Sequence, residues 1–321
     1  MRLLRRAAAW CERHVAPLSL IAALGMFLVL VLGATVTSTG SGEGCGDHWP
    51  LCHGKPYPPL DREAIIEWTH RFVTSVEGFF LVAAAVGAWR LRRRLPIMRL
   101  LAPLTVSTLF LQSGMGAWAV KYSQSSSILA LHFGISLTAF AVTVLMWRAL
   151  RDGHGATEAR PAPPLGFVAA TWGALLFVYL VAYSGAYMRH SDAQLACTTW
   201  PLCNGDVAPG FSGAVGIAFT HRVAALGAVL LIGLLAGWAL QLRATRPDLF
   251  ALNVAALALV LAQALSGAVV VWSRVDLLSA LLHAALMALL FVCLAESCRR
   301  VLGGSRERRT TTGLAVASPA D

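Results

Sequence analysis

Apolar residues run along this chain in eight blocks, near 17–36, 65–89, 98–120, 126–149, 165–188, 216–240, 249–272 and 277–298, with short polar segments between them. A helix needs about 20 apolar residues to cross a bilayer core. Lipid offers no partner for unpaired backbone groups, so each block is predicted to be a transmembrane helix. The first block follows a basic stretch, as the core of a secretory leader does. Its uncharged run from Val15 to Gly42 is too long for that, and it is read as a membrane helix.

The blocks fall into two related sets of four. Shifted by 151 residues, Trp49-Pro50-Leu51-Cys52 lands on Trp200-Pro201-Leu202-Cys203, Thr69-His70-Arg71 lands on Thr220-His221-Arg222, and His132 lands on His283. Apolar filler can drift, whereas ligands to a shared object must keep depth and register, and an internal repeat of this kind divides the fold. An even number of spans per half gives both halves the same orientation, the parallel type of repeat. The expected fold is therefore an all-α membrane protein of eight transmembrane helices in two pseudosymmetric four-helix bundles. Residues 1–150 form the first bundle, 151–164 a cytoplasmic linker, 165–302 the second bundle, and 303–321 a polar, disordered cytoplasmic tail.

Composition agrees: the chain is 57% hydrophobic and 13% charged, with a mean hydropathy of +0.66, outside the range of soluble domains. Of the 26 Lys and Arg residues, 19 fall on the side that carries both termini, which the positive-inside rule makes the cytoplasm. The net charge of +10 is thus a topology signal, and nothing else supports a nucleic-acid partner.

The two outer loops each hold a cysteine pair, Cys45 with Cys52 and Cys197 with Cys203. Outside the cytoplasm paired cysteines oxidise, and such short closed loops gain roughly 2–3 kcal/mol each in the chain-entropy model. A structural staple, a redox-active pair and a zinc site using His48 or His53 are all open at this point. Cys11, Cys293 and Cys298 lie on the cytoplasmic side or in the last span and read as small apolar residues.

His70, His132, His221 and His283 all lie on even-numbered spans, near the outer ends, with 62 residues between the members of each pair. Ionisable groups inside a bilayer are costly and functional by default. Two facing imidazoles in a bundle core suit axial ligation of a haem iron. Zinc is disfavoured, because no carboxylate or thiolate completes a tetrahedral set. Arg71 and Arg222 follow their histidines and are placed to bind propionates or to anchor helix ends. Gln112 and Gln263 occupy matched positions on the third and seventh spans, where packing between helices is expected.

The halves differ at Glu67, one turn outward of His70 on the same face, because its counterpart is Ala218. Proton-coupled oxidation needs a carboxylate and electron transfer does not, so the first half reads as reactive and the second as electron-handling. Glu77, seven residues inward of His70, is opposed by Ala228. It fits a proton route or a neutral helix contact.

The ordered set from Gly44-Cys45-Gly46-Asp47-His48-Trp49-Pro50-Leu51-Cys52 through Glu67-Trp68-Thr69-His70-Arg71, His132, Trp200-Pro201-Leu202-Cys203, Thr220-His221-Arg222 and His283 resembles the haem A synthase family over nearly the whole chain. The resemblance implies oxidation of a methyl group of haem O to a formyl group by two successive hydroxylations and loss of water. It implies haem b held by His221 and His283, with Arg222 on a propionate. Haem O would sit near His70, His132 and Arg71, Glu67 would assist proton transfer, and Cys45 and Cys52 would be the outer pair implicated in activity. Implied partners are haem O synthase, membrane lipid and an electron donor or acceptor, in a bacterial plasma membrane. A bis-histidine di-haem cytochrome b is the alternative, and it leaves Glu67 without purpose. A transporter would show broken mid-membrane helices, and a quinone-linked disulfide oxidoreductase would not need two histidine pairs.

Overall fold

The computed structural model describes residues 2–122, 125–153 and 160–312. Eight long helices follow one another: α1 (Arg2–Ser38), α2 (Arg62–Arg90), α3 (Met98–Lys121), α4 (Ser126–Asp152), α5 (Leu165–His190), α6 (Gly213–Gln241), α7 (Pro247–Trp272) and α8 (Leu277–Thr312). Each contains a stretch long and apolar enough to cross a membrane. The chain is an all-α, multi-pass membrane protein, as the hydrophobic pattern predicts. Two isolated bridges, Cys52 with Lys55 and Cys203 with Asp206, are the only extended pairing among the described residues.

Local chemistry sets the helix ends. Asp61 accepts from Ala64 N at 3.1 Å and caps α2, and Ser125 accepts from Ile128 N at 3.3 Å and caps α4. Pro247 opens α7, where its missing N–H costs nothing. Serine and threonine hydroxyls within the spans return to carbonyls one turn back, as Thr105 does to Leu101 and Thr143 to Ala139.

α1 packs on α2 and α4, and α3 on α2 and α4; α5 packs on α6 and α8, and α7 on α6 and α8. The halves meet where α1 and α4 face α5 and α8. One buried cluster runs through both halves and is rich in alanine, including Ala22, Ala84, Ala88, Ala139, Ala256 and Ala288. Between helices in lipid, close backbone approach replaces the hydrophobic drive of water, which is why small residues collect there.

At the end that carries both termini, charge ties the halves together. Glu296 Oε1 accepts from Arg299 Nη2 at 2.6 Å, from Arg300 Nε at 2.8 Å and from Arg148 Nε at 3.5 Å. Asp152 Oδ2 accepts from Arg299 Nη2 at 2.5 Å and Arg300 Nη2 at 2.8 Å. Arg246, 2% exposed, fastens the far end of the linker through Pro161 O at 3.1 Å and reaches Arg300 O at 3.0 Å.

The tail differs from expectation. α8 continues past residue 303 to Thr312, through Arg306-Glu307-Arg308-Arg309, which are good helix formers without a proline. The rest of the expected disordered tail, 313–321, lies outside the described residues, as do 154–159 of the linker.

The Glu296 carboxylate is 4% exposed, and removing one member of a buried ionic network is costly. Glu296→Ala is expected to destabilise the protein by about 3 kcal/mol, read as a lowered thermal midpoint in detergent. An unchanged midpoint would reduce the cluster to ordinary surface pairing.

Candidate functional site

Two outer loops, one before α2 and one before α6, share a construction. Cys45 is bonded to Cys52 and Cys197 to Cys203, with Cα–Cα distances of 4.4 and 4.6 Å. All four cysteines are buried. Their pairing leaves no thiolate for zinc, and among the described residues no group of three metal-ligating side chains stands together. His53 instead bonds Gly44 O at 2.9 Å. Gly44 is required because a Cβ there would run into the backbone of Glu63 and Ala64.

The arginines that follow the histidines hold these loops down. Arg71 Nη1 donates to His48 O at 3.0 Å and Leu51 O at 2.8 Å. Arg222 Nη1 donates to Thr199 O at 2.7 Å and Leu202 O at 3.0 Å, and its Nη2 to Cys197 O at 2.8 Å. Among the described residues the Arg222 Nε–H makes no hydrogen bond. Glu67 belongs to the same structure, 4% exposed. Its Oε2 accepts from Cys45 N at 2.8 Å, and its Oε1 pairs with Arg71 Nη2 at 2.5 Å and Nε at 3.1 Å. The first half thus joins disulfide, carboxylate and guanidinium into one unit, and the second, with Ala218 in place of Glu67, does not.

The four histidines stand at matched depth. His70 follows the start of α2 at Arg62 by eight positions, as His221 follows Gly213; His132 follows Ser126 by six, as His283 follows Leu277. At 1.5 Å per residue these are about 12 and 9 Å below the helix starts.

Each ring rests against a glycine of the preceding helix. A Cβ on Gly33 would lie 3.3 Å from His70 Nε2, on Gly116 3.6 Å from His132 Cε1, on Gly185 2.8 Å from His221 Cε1, and on Gly267 3.4 Å from His283 Cε1. The repeat foreshadows these glycines. Gly116 and Gly267 are 151 apart, and Gly33 and Gly185 are 152 apart, the one-residue slip that the shorter second cysteine loop also shows. Sequence reasoning missed them because glycine in a membrane span is commonplace on its own.

Hydrogen bonding separates the halves. Ser184 Oγ donates to Val181 O at 2.8 Å and bonds His221 Nδ1 at 2.9 Å. Ser266 Oγ donates to Gln263 O at 2.8 Å and bonds His283 Nδ1 at 2.8 Å. A serine has one proton to give, so with the carbonyl taking it the oxygen accepts from Nδ1–H. The Gln263 amide nitrogen lies 3.1 Å from His283 Nε2, and its Oε1 is buried without a partner. With Nδ1 of each second-half imidazole held by a serine, Nε2 is the nitrogen left for a ligand, open on His221 and, on His283, reached once the Gln263 amide moves aside. Ligating histidines are oriented in this way, and the residues present fit an axially bound haem iron. In the first half the positions of Ser184 and Ser266 are Leu32 and Met115. No serine meets His70 or His132 among the described residues, and His132 Nδ1 is buried without a partner.

Two features further separate the halves. Glu77 is buried inside the first, and a shallow apolar depression lined by Phe110, Leu111, Gly114, Met115, Trp118 and Ile128 lies on the α3–α4 surface. The second half carries Leu265 in the place of Gly114. Gln112, expected to pack, does so, with Nε2 3.7 Å from Met26 Sδ; Gln263 instead reaches His283.

A family described as "Cytochrome oxidase assembly protein" matches residues 16–295. The protein named "Heme A synthase" from Symbiobacterium thermophilum is 41% identical over 287 residues, covering 88% of this chain and 94% of that protein. Proteins of the same name from Shouchella clausii and Alkalihalophilus pseudofirmus are 40% and 39% identical, each over 86% of this chain and 93% and 94% of their own lengths.

The glycine contacts predict unequal tolerance. Gly185→Ala sets a methyl 2.8 Å from the His221 ring, an overpacking expected to cost about 1–3 kcal/mol. Gly116→Ala meets His132 at an ordinary 3.6 Å and is expected to stay within about 0.5 kcal/mol of the parent. The helix-propensity gain is common to both, so the difference between their thermal midpoints is the measurement, and equal midpoints would remove the cradle from the argument.

Proposed function

This chain belongs to the haem A synthase family, and from that premise we propose that it is the membrane oxidoreductase that converts haem O to haem A. Haem b is resident between His221 and His283, and substrate haem O binds in the first half between His70 and His132. The observation that carries this division is the pair of serine–imidazole hydrogen bonds, present in the second half and replaced by Leu32 and Met115 in the first. A permanent cofactor is served by ligands locked in one tautomer and orientation. A substrate that must enter and leave is served by rings less firmly held.

Both termini lie in the cytoplasm, as the basic segments direct, in the plasma membrane of a bacterium. The disulfide loops and Glu67 then lie outside. Propionates directed to this outer surface would meet Arg222, which has its Nε–H to give, and Arg71, whose donors already hold Glu67, His48 O and Leu51 O. Haem O synthase supplies the substrate.

The methyl is hydroxylated twice, and the geminal diol loses water to leave the formyl group. Taken against water, the net change releases protons and electrons in equal number, so the protein must accept both. Glu67 takes the proton: its carboxylate is held at the outer end of α2 by Cys45 N–H and Arg71, one turn from His70. Haem b, when bound, supplies one-electron redox chemistry, and an external redox partner completes the balance. The Cys45–Cys52 bridge fixes the Cys45 N–H that orients Glu67. This gives the outer pair an effect on activity without any thiol chemistry.

Pigment extraction tests the reading. Membranes co-expressing the chain with haem O synthase are expected to yield haem bearing hydroxymethyl or formyl groups; unmodified haem alone would identify a di-haem cytochrome instead. Glu67→Gln removes the proton acceptor but keeps hydrogen bonding. It is expected to leave haem content intact and lower turnover by about a hundredfold or more, and unchanged turnover would defeat its role. His221→Ala or His283→Ala is expected to abolish the low-spin haem b spectrum; full retention would overturn the second-half assignment.

A further inference from the structure

The first half holds one polar group that the chemistry above leaves idle. Glu77 lies on α2 seven positions inward of His70, about 10 Å along the axis and close to two full turns, so both project from one face. It is 3% exposed, and neither carboxyl oxygen has a hydrogen-bond partner. Its stem crosses α1 at Gly25, where a Cβ would stand 2.8 Å from Glu77 Cγ, just as His70 crosses the same helix at Gly33. Imidazole and carboxyl are two rungs of a single α1–α2 contact, each admitted by a glycine.

The second half fills that lower rung differently. In the register of the first spans, Gly25 corresponds to Phe177, and Glu77 corresponds to Ala228. The Phe177 ring lies against α6 at Gly227, whose Cβ would be 3.2 Å from its Cζ. One site therefore has an aromatic ring beneath its histidine, and the other has an unpaired carboxyl. A buried polar group without a partner is expensive, most of all in a membrane, and only a polar atom on the ligand repays that cost.

We propose that Glu77 is the specificity residue for the substrate, hydrogen-bonding the hydroxyl of the hydroxyethylfarnesyl side chain that haem O carries where haem b has a vinyl group. The proposal rests on the reading of the first half as the haem O site. With propionates directed outward, the opposite edge of the macrocycle points inward along α2. That hydroxyl is the only polar group on that edge. Side chains on a helix lean toward its N-terminus, which on α2 brings the carboxyl up from position 77 toward the ring. A site built to bond a hydroxyl rejects the analogue without one, because its own polar group is then left unpaired. The Phe177 side of the second half suits a vinyl edge. The two sites thereby sort two haems that differ at one substituent.

The test is a titration of the full chain in detergent, with haem b in the second half and the first half empty, using haem O and haem b as separate probes followed by absorbance. The parent is expected to prefer haem O by tenfold or more. Glu77→Leu is expected to lose at least tenfold in haem O affinity, about 1.4 kcal/mol, with no loss for haem b. Glu77→Gln is expected to retain most of it, since an amide also donates and accepts. An intact second-half spectrum reports that each variant is folded. Glu77→Leu that binds haem O like the parent, or that loses both haems equally, overturns the proposal. His70→Ala separates the two readings. If it abolishes haem O binding while Glu77→Leu leaves it untouched, only the Glu77 role falls. If it leaves haem O binding at parental strength, the first-half assignment falls and takes the Glu77 role with it.

Discussion

A histidine ring can lie flat against a neighbouring transmembrane helix only where that helix gives up its side chain. Gly33, Gly116, Gly185 and Gly267 do so at four places, and everything else about the site depends on them. Without the gap at Gly185 the His221 imidazole would have to shift. A Cβ would stand 2.8 Å from the His221 ring at Gly185 and 3.3 Å from the His70 ring at Gly33, while at Gly267 and Gly116 it would meet the rings at ordinary contact distance. Small residues in membrane bundles allow backbones to approach; at these four positions the same space admits a functional ring.

Much of the fold could be read in advance because the hydrophobic pattern and the physics of lipid leave so few options. Eight apolar blocks had to be helices, and the structure has them with most ends displaced by a few residues, while α1 begins and α8 ends well beyond their apolar stretches. The cysteine pairs were legible as pairs, since short outer loops bring them together, although their spacing could not choose between bridge and metal. The site was legible only in its outline. The 151-residue repeat marked the histidines, Glu67 and the arginines, but repetition cannot say what an arginine bonds to. Arg71 and Arg222 give most of their donors to loop carbonyls, because a loop closed by a disulfide curls its carbonyls inward over the helix end. The serines were missed for the opposite reason. Ser184 and Ser266 have no first-half counterparts, so a search for what repeats passed over them.

The differences between the halves follow one logic. The second half adds hydrogen bonds to its imidazoles and fills the space below with Phe177. The first half strips them from its imidazoles, adds Glu67 above His70 and Glu77 below it, and has a shallow depression at Gly114. One set of changes rigidifies and closes; the other loosens and charges. A duplicated bundle that bound the same haem twice for electron transfer would have no physical reason to carry the unpaired Glu77 carboxyl in one copy, since it costs stability and contributes nothing to a redox couple.

That cost is what distinguishes a functional carboxyl from an incidental one here. Glu67 at the outer helix end is supported by Cys45 N–H and Arg71, and a stability argument alone could account for it. Glu77 has no such support: its burial in an apolar contact, with both oxygens unmatched, is an expense that the fold does not recover within itself. A ligand with a polar atom at that depth would recover it. The glycine at position 25 shows that α1 is shaped around the group and has not merely tolerated it. The first half is therefore polar at the depth of Glu77, where the second half presents Ala228 and Phe177.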